Sequence, residues 1–353
     1  MTRGAWEELS DRPHQSRDGE RIDRVVAVIK GAHQFVAIMS YLLSEGRIID
    51  ELRAVSRRGV RCYIVTAAEE QLRLNRRNLT TDDFNAIAAH QQLLDECSDF
   101  ALIRTGPGFH AKAVLADGPD GAGLLSTANL RDGALSGNDE LVVDLDEDEV
   151  RDLTLLMKWA MFGIAENEVV GRGHLGSVSG LALQEPIGRS LLQQTRQSNR
   201  LFEVATKLVI ESDGPIIASS FSWSSDHRVV TGFCEAARSG REVVVIANPT
   251  VKSSIPSLIQ MKKDGVEIVG REWMHAKAIA VAGKAFVSTA NFRRLVSVNS
   301  SLDLGLELVG DRADFVRAEL QQWADAPTHS FDVPDGLDID SDVGFSEVFR
   351  SDG

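Results

Sequence analysis

The sequence predicts an α/β protein made of two copies of one unit, each a sheet covered by helices. Two observations carry this. The first is a repeated motif. Phe109-His110-Ala111-Lys112 runs on to Ser126-Thr127-Ala128-Asn129, and Met274-His275-Ala276-Lys277 runs on to Ser288-Thr289-Ala290-Asn291. His110 precedes Asn129 by 19 positions and His275 precedes Asn291 by 16. The second is a repeated order of strand, helix, Gly stop and strand on the N-terminal side of each motif. A single His-x-Lys carries no information, because a strand end with a solvated Lys is ordinary. Two copies with the same tetrapeptide make self-similarity the first fact to explain.

Taken in order, residues 1–20 form a polar N-terminal segment. Ile22 to Ile29 have helical spacing, and Phe35 to Met39 read as a strand. Arg47 to Arg58 predict an amphipathic helix with Ile48, Ile49, Leu52 and Val55 on one face, stopped by Gly59. Val60 to Val65 form the next strand and complete a β-α-β unit. Residues 67–97 are polar and helical in pattern, with basic Arg73, Arg76 and Arg77. The motif strand then runs into buried Ala113 to Ala116. With period-2 alternation, His110 and Lys112 share a face that Ala111 does not. A Gly-rich turn follows from Gly118 to Gly123, then Leu124-Leu125, a strand at Leu141 to Val143, and a helix from Glu149 to Phe162. The second half repeats this. Ile216 to Ala218 is a strand, Arg228 to Arg238 a helix with Gly240 as its stop, and Glu242 to Ile246 a strand. The second motif strand follows, and a further strand at Leu304 to Leu308 with a helix from Arg312 to Trp323 completes it. Trp159 and Trp323 occupy corresponding helices. The expected units are 21–165 and 196–326, joined by a Gly-rich linker region, 166–195, and followed by an acidic tail, 327–353. The first half is longer by 16 residues between its Gly stop and its motif, in the segment that carries Arg73, Arg76 and Arg77.

A chain of 353 residues has ample material for a core, and 43% hydrophobic with 25% charged residues is ordinary for globular proteins. No apolar run approaches the ~20 residues that span a bilayer. The polar start lacks the apolar core of a secretory signal, so a soluble cytoplasmic protein is expected. Cys62, Cys97 and Cys234 are far apart and form no Cys-x-x-Cys, which gives a zinc or redox site no support. The net charge of -14 weighs against a nucleic-acid partner, but half of it lies between Asp325 and Gly353. That leaves the body free to carry a positive groove.

The repeated residues resemble the phospholipase D superfamily, whose signature is His-x-Lys, four residues, Asp, a gap and Gly-Ser-x-Asn, with an acid further on. His110, Lys112, Asp117 and Asn129 match in the first half; His275, Lys277 and Asn291 match in the second, where Ala282 replaces the Asp. Ser-Thr replaces Gly-Ser in both, so Thr127 and Thr289 keep a hydroxyl. Glu140 and Asp303 are the downstream acids. The resemblance covers about residues 25 to 300. It implies two pseudo-symmetric α/β/α sandwich halves, each a mixed sheet flanked by helices, with one active site on the pseudo-twofold axis. It implies no cofactor.

The chemistry suits these residue types in their own right. Lys112 and Lys277 can neutralise phosphoryl oxygens, and the Asn129 and Asn291 amides can donate to them. One His can attack phosphorus while the other protonates the leaving oxygen. Glu140 and Asp303 can each hold an imidazole in the right tautomer. No metal is called for. His110 is expected to attack, because Asp117 and Glu140 lie in its half and the N-terminal His is usually the nucleophile in the family. Asp117 also reads as a turn residue before Gly118-Pro119.

Other signals fail. Asp338 to Asp342 suggest a calcium loop, but Val343 and Phe349 stand at its Gly and Glu positions. The Gly118–Gly123 run lacks a P-loop Lys. His14, His33, His90, His174, His227 and His329 are isolated. The expected function is therefore a metal-independent phosphodiesterase acting on nucleic acid, DNA in the first instance, with no membrane partner. Arg73, Arg76 and Arg77 are expected to contact substrate phosphates. Family members without membrane segments are often nucleases, including ones in bacterial DNA-defence and DNA-modification systems, which would bring partner proteins. The alternatives are a phospholipid hydrolase or phosphatidyltransferase, and a non-catalytic nucleic-acid-binding subunit. Two complete His-Lys-Asn sets weigh against the last.

Overall fold

The computed structural model describes residues 5–9, 19–67, 81–106, 108–131, 133–171, 174–293 and 302–333. Arg73, Arg76, Arg77, the calcium-like stretch and most of the acidic tail lie outside them.

The chain enters through β1 (Trp6–Glu8), which adds to the second sheet. Helix α1 (Glu20–Lys30) buries Ile22, Val25 and Ile29. Then come β2 (Phe35–Ser40), α2 (Gly46–Arg57) and β3 (Arg61–Ala67). Helix α3 (Thr81–Cys97) leads to β4 (Ala101–Gly106). The antiparallel strands β5 (Ala113–Ala116) and β6 (Ala122–Ser126) precede the short α4 (Ala134–Gly137) and β7 (Val142–Asp144). Helix α5 (Glu147–Trp159) starts on a capping box between Asp146 and Glu149 and ends in a π-turn over Ala160–Ile164. Strands β8 (Asn167–Val169) and β9 (Leu175–Ser177) extend the first sheet.

The second half comprises β10 (Leu191–Gln194), α6 (Arg200–Glu211), β11 (Ile216–Ser220), α7 (Arg228–Arg238) and β12 (Val243–Ala247). It continues with α8 (Ile255–Lys263), β13 (Glu267–Gly270), β14 (Ala278–Val281) and β15 (Lys284–Ser288). It closes with β16 (Asp303–Val309), α9 (Asp311–Ala324) and β17 (His329–Phe331).

Both sheets are mixed, and they share an order. The first runs β7-β6-β5-β2-β3-β4 and the second β16-β15-β14-β11-β12-β13. In each, three parallel strands adjoin an antiparallel meander. Extra strands decorate the edges: β8 and β9 on the first sheet, β10, β17 and β1 on the second. The stretch 166–195 thus supplies strands to both sheets. Gly59 and Gly240, with φ of 89° and 88°, stop α2 and α7 in a conformation that only Gly adopts cheaply.

One apolar cluster is common to both halves. It holds Met39, Leu115, Leu153 and Trp159 from the first, with Ile217, Met274, Leu306 and Trp323 from the second. Helices α5 and α9 meet there, and Arg312 of α9 reaches Glu149 at 2.7 Å and the Asp144 carbonyl at 2.9 Å. The sheet faces are therefore packed through their C-terminal helices into one core. Cys62, Cys97 and Cys234 are all buried and unpaired, as small core residues would be.

Asp117 stands at the end of β5 with φ 58°. Its carboxylate accepts from the amides of His33, Gln34 and Phe35 at 2.7–3.1 Å, so it ties the entrance of β2 to the exit of β5. Burial would raise its carboxyl pKa, but these amides hold it below the usual carboxylate range. The second half turns instead through Gly283, with φ 68°, after Ala282. Asp117→Ala is expected to cost about 1–2 kcal/mol of stability, measured by denaturant unfolding, and to leave catalysis unchanged.

Candidate active site

Both motifs sit where the halves touch. Residues 110–112 and 275–277 lie just ahead of β5 and β14 rather than inside their ladders. Each is pinned by the other half. Phe109 bridges Leu302, and the His110 amide donates to the Leu302 carbonyl at 3.2 Å. Met274 bridges Asp139, and the amides of His275 and Ala276 donate to the Asp139 carbonyl at 3.2 and 2.8 Å.

The acids cross over. Asp303 of the second half accepts from Nδ1 of His110 at 2.7 Å. Glu140 of the first half pairs with Nδ1 of His275. Each imidazole thus has its Nδ1 engaged and its Nε2 turned to other work. The tetrapeptide threonines hold these acids. Thr127 Oγ1 donates to Glu140, and Thr289 Oγ1 donates to Asp303 at 2.8 Å. The same hydroxyls accept from Leu141 and Leu304 amides at 2.9 and 3.0 Å. Ser126 and Ser288 accept from the amides of Ala128 and Ala290, a tight turn that projects Asn129 and Asn291. Asn129 Oδ1 is buried with no hydrogen-bond partner. Ser220 Oγ lies 3.4 Å from Asn291 Oδ1.

Both lysines are fully buried. Lys112 Nζ lies 3.2 and 3.1 Å from the two ring nitrogens of His110. Lys277 Nζ lies 2.9 Å from Nδ1 of His275 and reaches the Thr127 carbonyl of the other half at 3.4 Å. Burial, then the charge of Lys277, lowers Lys112 to about 7. Burial lowers Lys277 to about 8 against the pull of Glu140 and Asp303. Burial pushes both imidazoles below the usual histidine range, His275 to about 4, although Glu140 pulls it back. Burial would raise the two carboxyls, but His275 and Lys277 hold Glu140 at about 2, and His110 and Lys112 hold Asp303 well below the usual range. Both acids are therefore charged at neutral pH. The imidazoles stay open to solvent on one side: the His110 side chain is 31% exposed and that of His275 22%.

The site thus gathers His110, Lys112, Asn129, His275, Lys277 and Asn291, with Thr127, Glu140, Thr289 and Asp303 behind them. Asp117 is not among them. Sequence reasoning missed four residues around it. Tyr41 packs edge-on against His110 with ring centroids 5.5 Å apart, and Phe221 lies 5.0 Å from His275. Ser40 and Ser220, one residue earlier, accept from the amides of Leu130 and Phe292, the residues after each Asn. Their common spacing of 180 was a readable signal. Of the isolated histidines, His90 is satisfied in the core by Leu43 and Thr66, and His227 caps α7. Among the described residues, no group of three or more His, Cys, Asp or Glu side chains could hold a metal, and no helix is long and apolar enough to cross a membrane.

Fold and site together define a doubled α/β protein with one composite His-Lys-Asn centre built from both halves. Residues 25–155 match the family described as cardiolipin synthase, PLD-like domain, a phospholipase D-like family. Phosphatidylserine synthase of Haemophilus influenzae Rd KW20 is similar in fold, with a TM-score of 0.64 at 11% identity over 93% of this chain and 87% of that one. Polyphosphate kinase from Porphyromonas gingivalis gives 0.55 at 14% identity over 90% of this chain and 46% of the kinase, so the chain spans about half the kinase's length. Nuc from Salmonella typhimurium, a phospholipase D family member, is matched over 40% of this chain and 99% of its own at 12% identity, with a TM-score of 0.36. Among curated proteins, no sequence matches the chain significantly.

Proposed function

We propose that the protein is a phosphodiesterase that works through a phosphohistidine intermediate, and that its substrate is nucleic acid. The observation that carries the chemistry is the crossed pair of His–carboxylate dyads around two buried lysines. A phosphodiester anion entering this centre meets two ammonium groups and two amides, which stabilise the charge that builds on its oxygens. Nε2 of one imidazole attacks phosphorus, and the other imidazole gives the leaving oxygen a proton. Water then hydrolyses the phosphohistidine, with the second His acting as base. The arriving anion raises the pKa of both imidazoles, so one can carry the proton it must donate. We assign attack to His110, the more exposed of the two, and proton donation to His275.

Nucleic acid is favoured by a cleft of about 860 Å³ at the edge of the second sheet, lined by Arg196, Arg228 and Arg293 as well as by Glu203 and Asp226. Gln194 in its lining is the register partner of Asp303, so the cleft begins one strand spacing from the acid behind His110. Tyr41 and Phe221 offer ring faces to bases beside the scissile bond. Arg73, Arg76 and Arg77 are proposed as further phosphate contacts. DNA as the natural substrate, and service in a defence or modification system, follow from the family resemblance. A second reading, phosphatidyl transfer, draws on the cardiolipin synthase description of the matching family.

The test is incubation with labelled DNA, RNA and phospholipid, each with EDTA. DNA is expected to be cleaved at an unchanged rate in chelator, and phospholipid to be left intact. Loss of activity in EDTA with rescue by Mg²⁺ would sink the metal-independent mechanism. Turnover of phospholipid alone would transfer the site to the second reading.

A further inference from the structure

Behind the site, Asp139 and Arg271 break the pseudo-twofold. Asp139, the residue before Glu140, accepts from Arg271 Nε and Nη2 at 2.9 Å each, a bidentate pair between the halves. Its side chains are 3% and 10% exposed for Arg271 and Asp139. Arg271 also donates to the Ala326 carbonyl. The same Asp139 receives the backbone of His275 and Ala276 on its carbonyl, and its amide donates to Trp273 at 2.9 Å. One residue therefore touches the dyad from both sides: its chain neighbour is Glu140, and its carbonyl holds His275.

Among the described residues, the other dyad has no such device. Leu302 stands before Asp303, buried, and its carbonyl holds His110. Gly106 stands where the 165-residue offset places the counterpart of Arg271. A Cβ there would meet the Phe109 ring at 2.9 Å, so no long side chain fits. The first dyad is thus built on the same backbone plan with apolar residues alone. A buried ion pair loses much of its attraction to desolvation, and apolar replacement is often neutral or stabilising. The Leu302 counterpart indicates that the backbone bridge needs no charge. What the charge can add lies nearer Glu140, the chain neighbour of Asp139.

We infer that Arg271, acting through Asp139, is a positioning residue for the Glu140–His275 dyad alone, so that the two histidines are unequal by construction. The inference rests on the phosphodiesterase reading for its kinetic consequence but not for its structural one. The arm it stiffens is the one assigned to proton donation, where an imidazolium must be held at a fixed angle to the leaving oxygen. Among the described residues, no equal constraint bears on His110.

The test uses the double variant Asp139→Leu with Arg271→Met, which copies the Leu302 arrangement and leaves no unpaired charge. Two readouts are taken on the full chain. The first is hydrolysis of DNA against bis-p-nitrophenyl phosphate. The variant is expected to lose about tenfold or more in kcat on DNA, far less on the activated ester, and to keep KM on both. The second is the imidazole ¹⁵N spectrum: the Nδ1–H signal of His275 is expected to shift or broaden while that of His110 stays. An unchanged DNA-to-ester ratio with an unchanged His275 signal overturns the inference. If the wild type cleaves neither substrate, the phosphodiesterase reading fails, and the His275 signal still decides the positioning. Should the double variant melt below the assay temperature, Arg271→Lys replaces it, keeping the charge but not the fork. A His275 signal identical to wild type in that variant overturns the inference equally.

Discussion

Replacing His110 by Ala is expected to abolish turnover with every leaving group, a loss on the order of 10⁴-fold or more. Replacing His275 by Ala is expected to act differently. Without its proton donor the enzyme should lose roughly 10²–10⁴-fold on DNA and much less on a p-nitrophenyl ester, whose leaving group needs no proton. The contrast follows from the geometry. Each imidazole has its Nδ1 tied to a carboxylate of the opposite half, so each presents Nε2 in one tautomer. Neither alone can both attack and protonate. Comparison of the two variants on the two substrates separates the roles. A His110→Ala enzyme that still cleaves the ester beside an inert His275→Ala enzyme would mean that the roles are reversed.

The second large effect belongs to the buried lysines. Lys112→Met and Lys277→Met are each expected to reduce kcat/KM by about 10²–10³-fold, the usual size for a lost donor at a developing oxyanion. They should do so with little loss of stability, because a buried ammonium is expensive and methionine fills its space. The same burial makes the lysines titrate early. Lys112 at about 7 and Lys277 at about 8 lose their protons well below the range of a solvated lysine. The charged form is the active one, so kcat/KM should fall on the alkaline side beginning near pH 7 to 8. Stability moves the other way. Above those folded values and up to about 10.4 the unfolded chain binds more protons than the folded one, so the fold gains stability as pH rises through that window. A pH–rate profile with denaturant melts at the same pH values checks both. An activity plateau extending to pH 10 contradicts the assignment of charged lysines.

Much of this was legible in the sequence, for physical reasons. Apolar strands, amphipathic helices with Gly stops and a tandem repeat announce an α/β unit twice over, and β2-α2-β3 and β11-α7-β12 occur where periodicity places them. The six His, Lys and Asn residues converge because the same motif order puts them at the same edge of equivalent sheets, and the turns at 117–121 and 282–283 absorb the difference in spacing. The partnership of the acids was not legible. Glu140 lies 11 residues after Asn129 in the chain, which suggests service to its own half. It serves His275 instead, because the bridge from Asp139 to Met274 carries that loop across the interface. The two sequence arguments for His110 as nucleophile, its half's Asp117 and Glu140, thus attach elsewhere: one ties β2 to β5, and the other backs His275. What favours His110 in their place is its greater exposure and the freedom of its dyad from the Arg271 clamp. Edge strands such as β8 and β10 were unreadable for another reason. They are three and four residues long, and so short a run has no period to detect. Nothing in the chain order marks Arg271, because its partner Asp139 lies 132 residues away and meets it only in the fold.

The proposed mechanism passes through a covalent phosphohistidine formed at a centre shared by both halves. It is tested most directly by trapping: the enzyme is mixed with excess substrate in EDTA, quenched at alkaline pH where phosphohistidine survives, digested, and its peptides are read by mass spectrometry. An adduct on His110 is expected, accumulating further in His275→Ala and absent from His110→Ala. An adduct on His275 with none on His110, or turnover with no histidine adduct in either variant or the wild type, would contradict it.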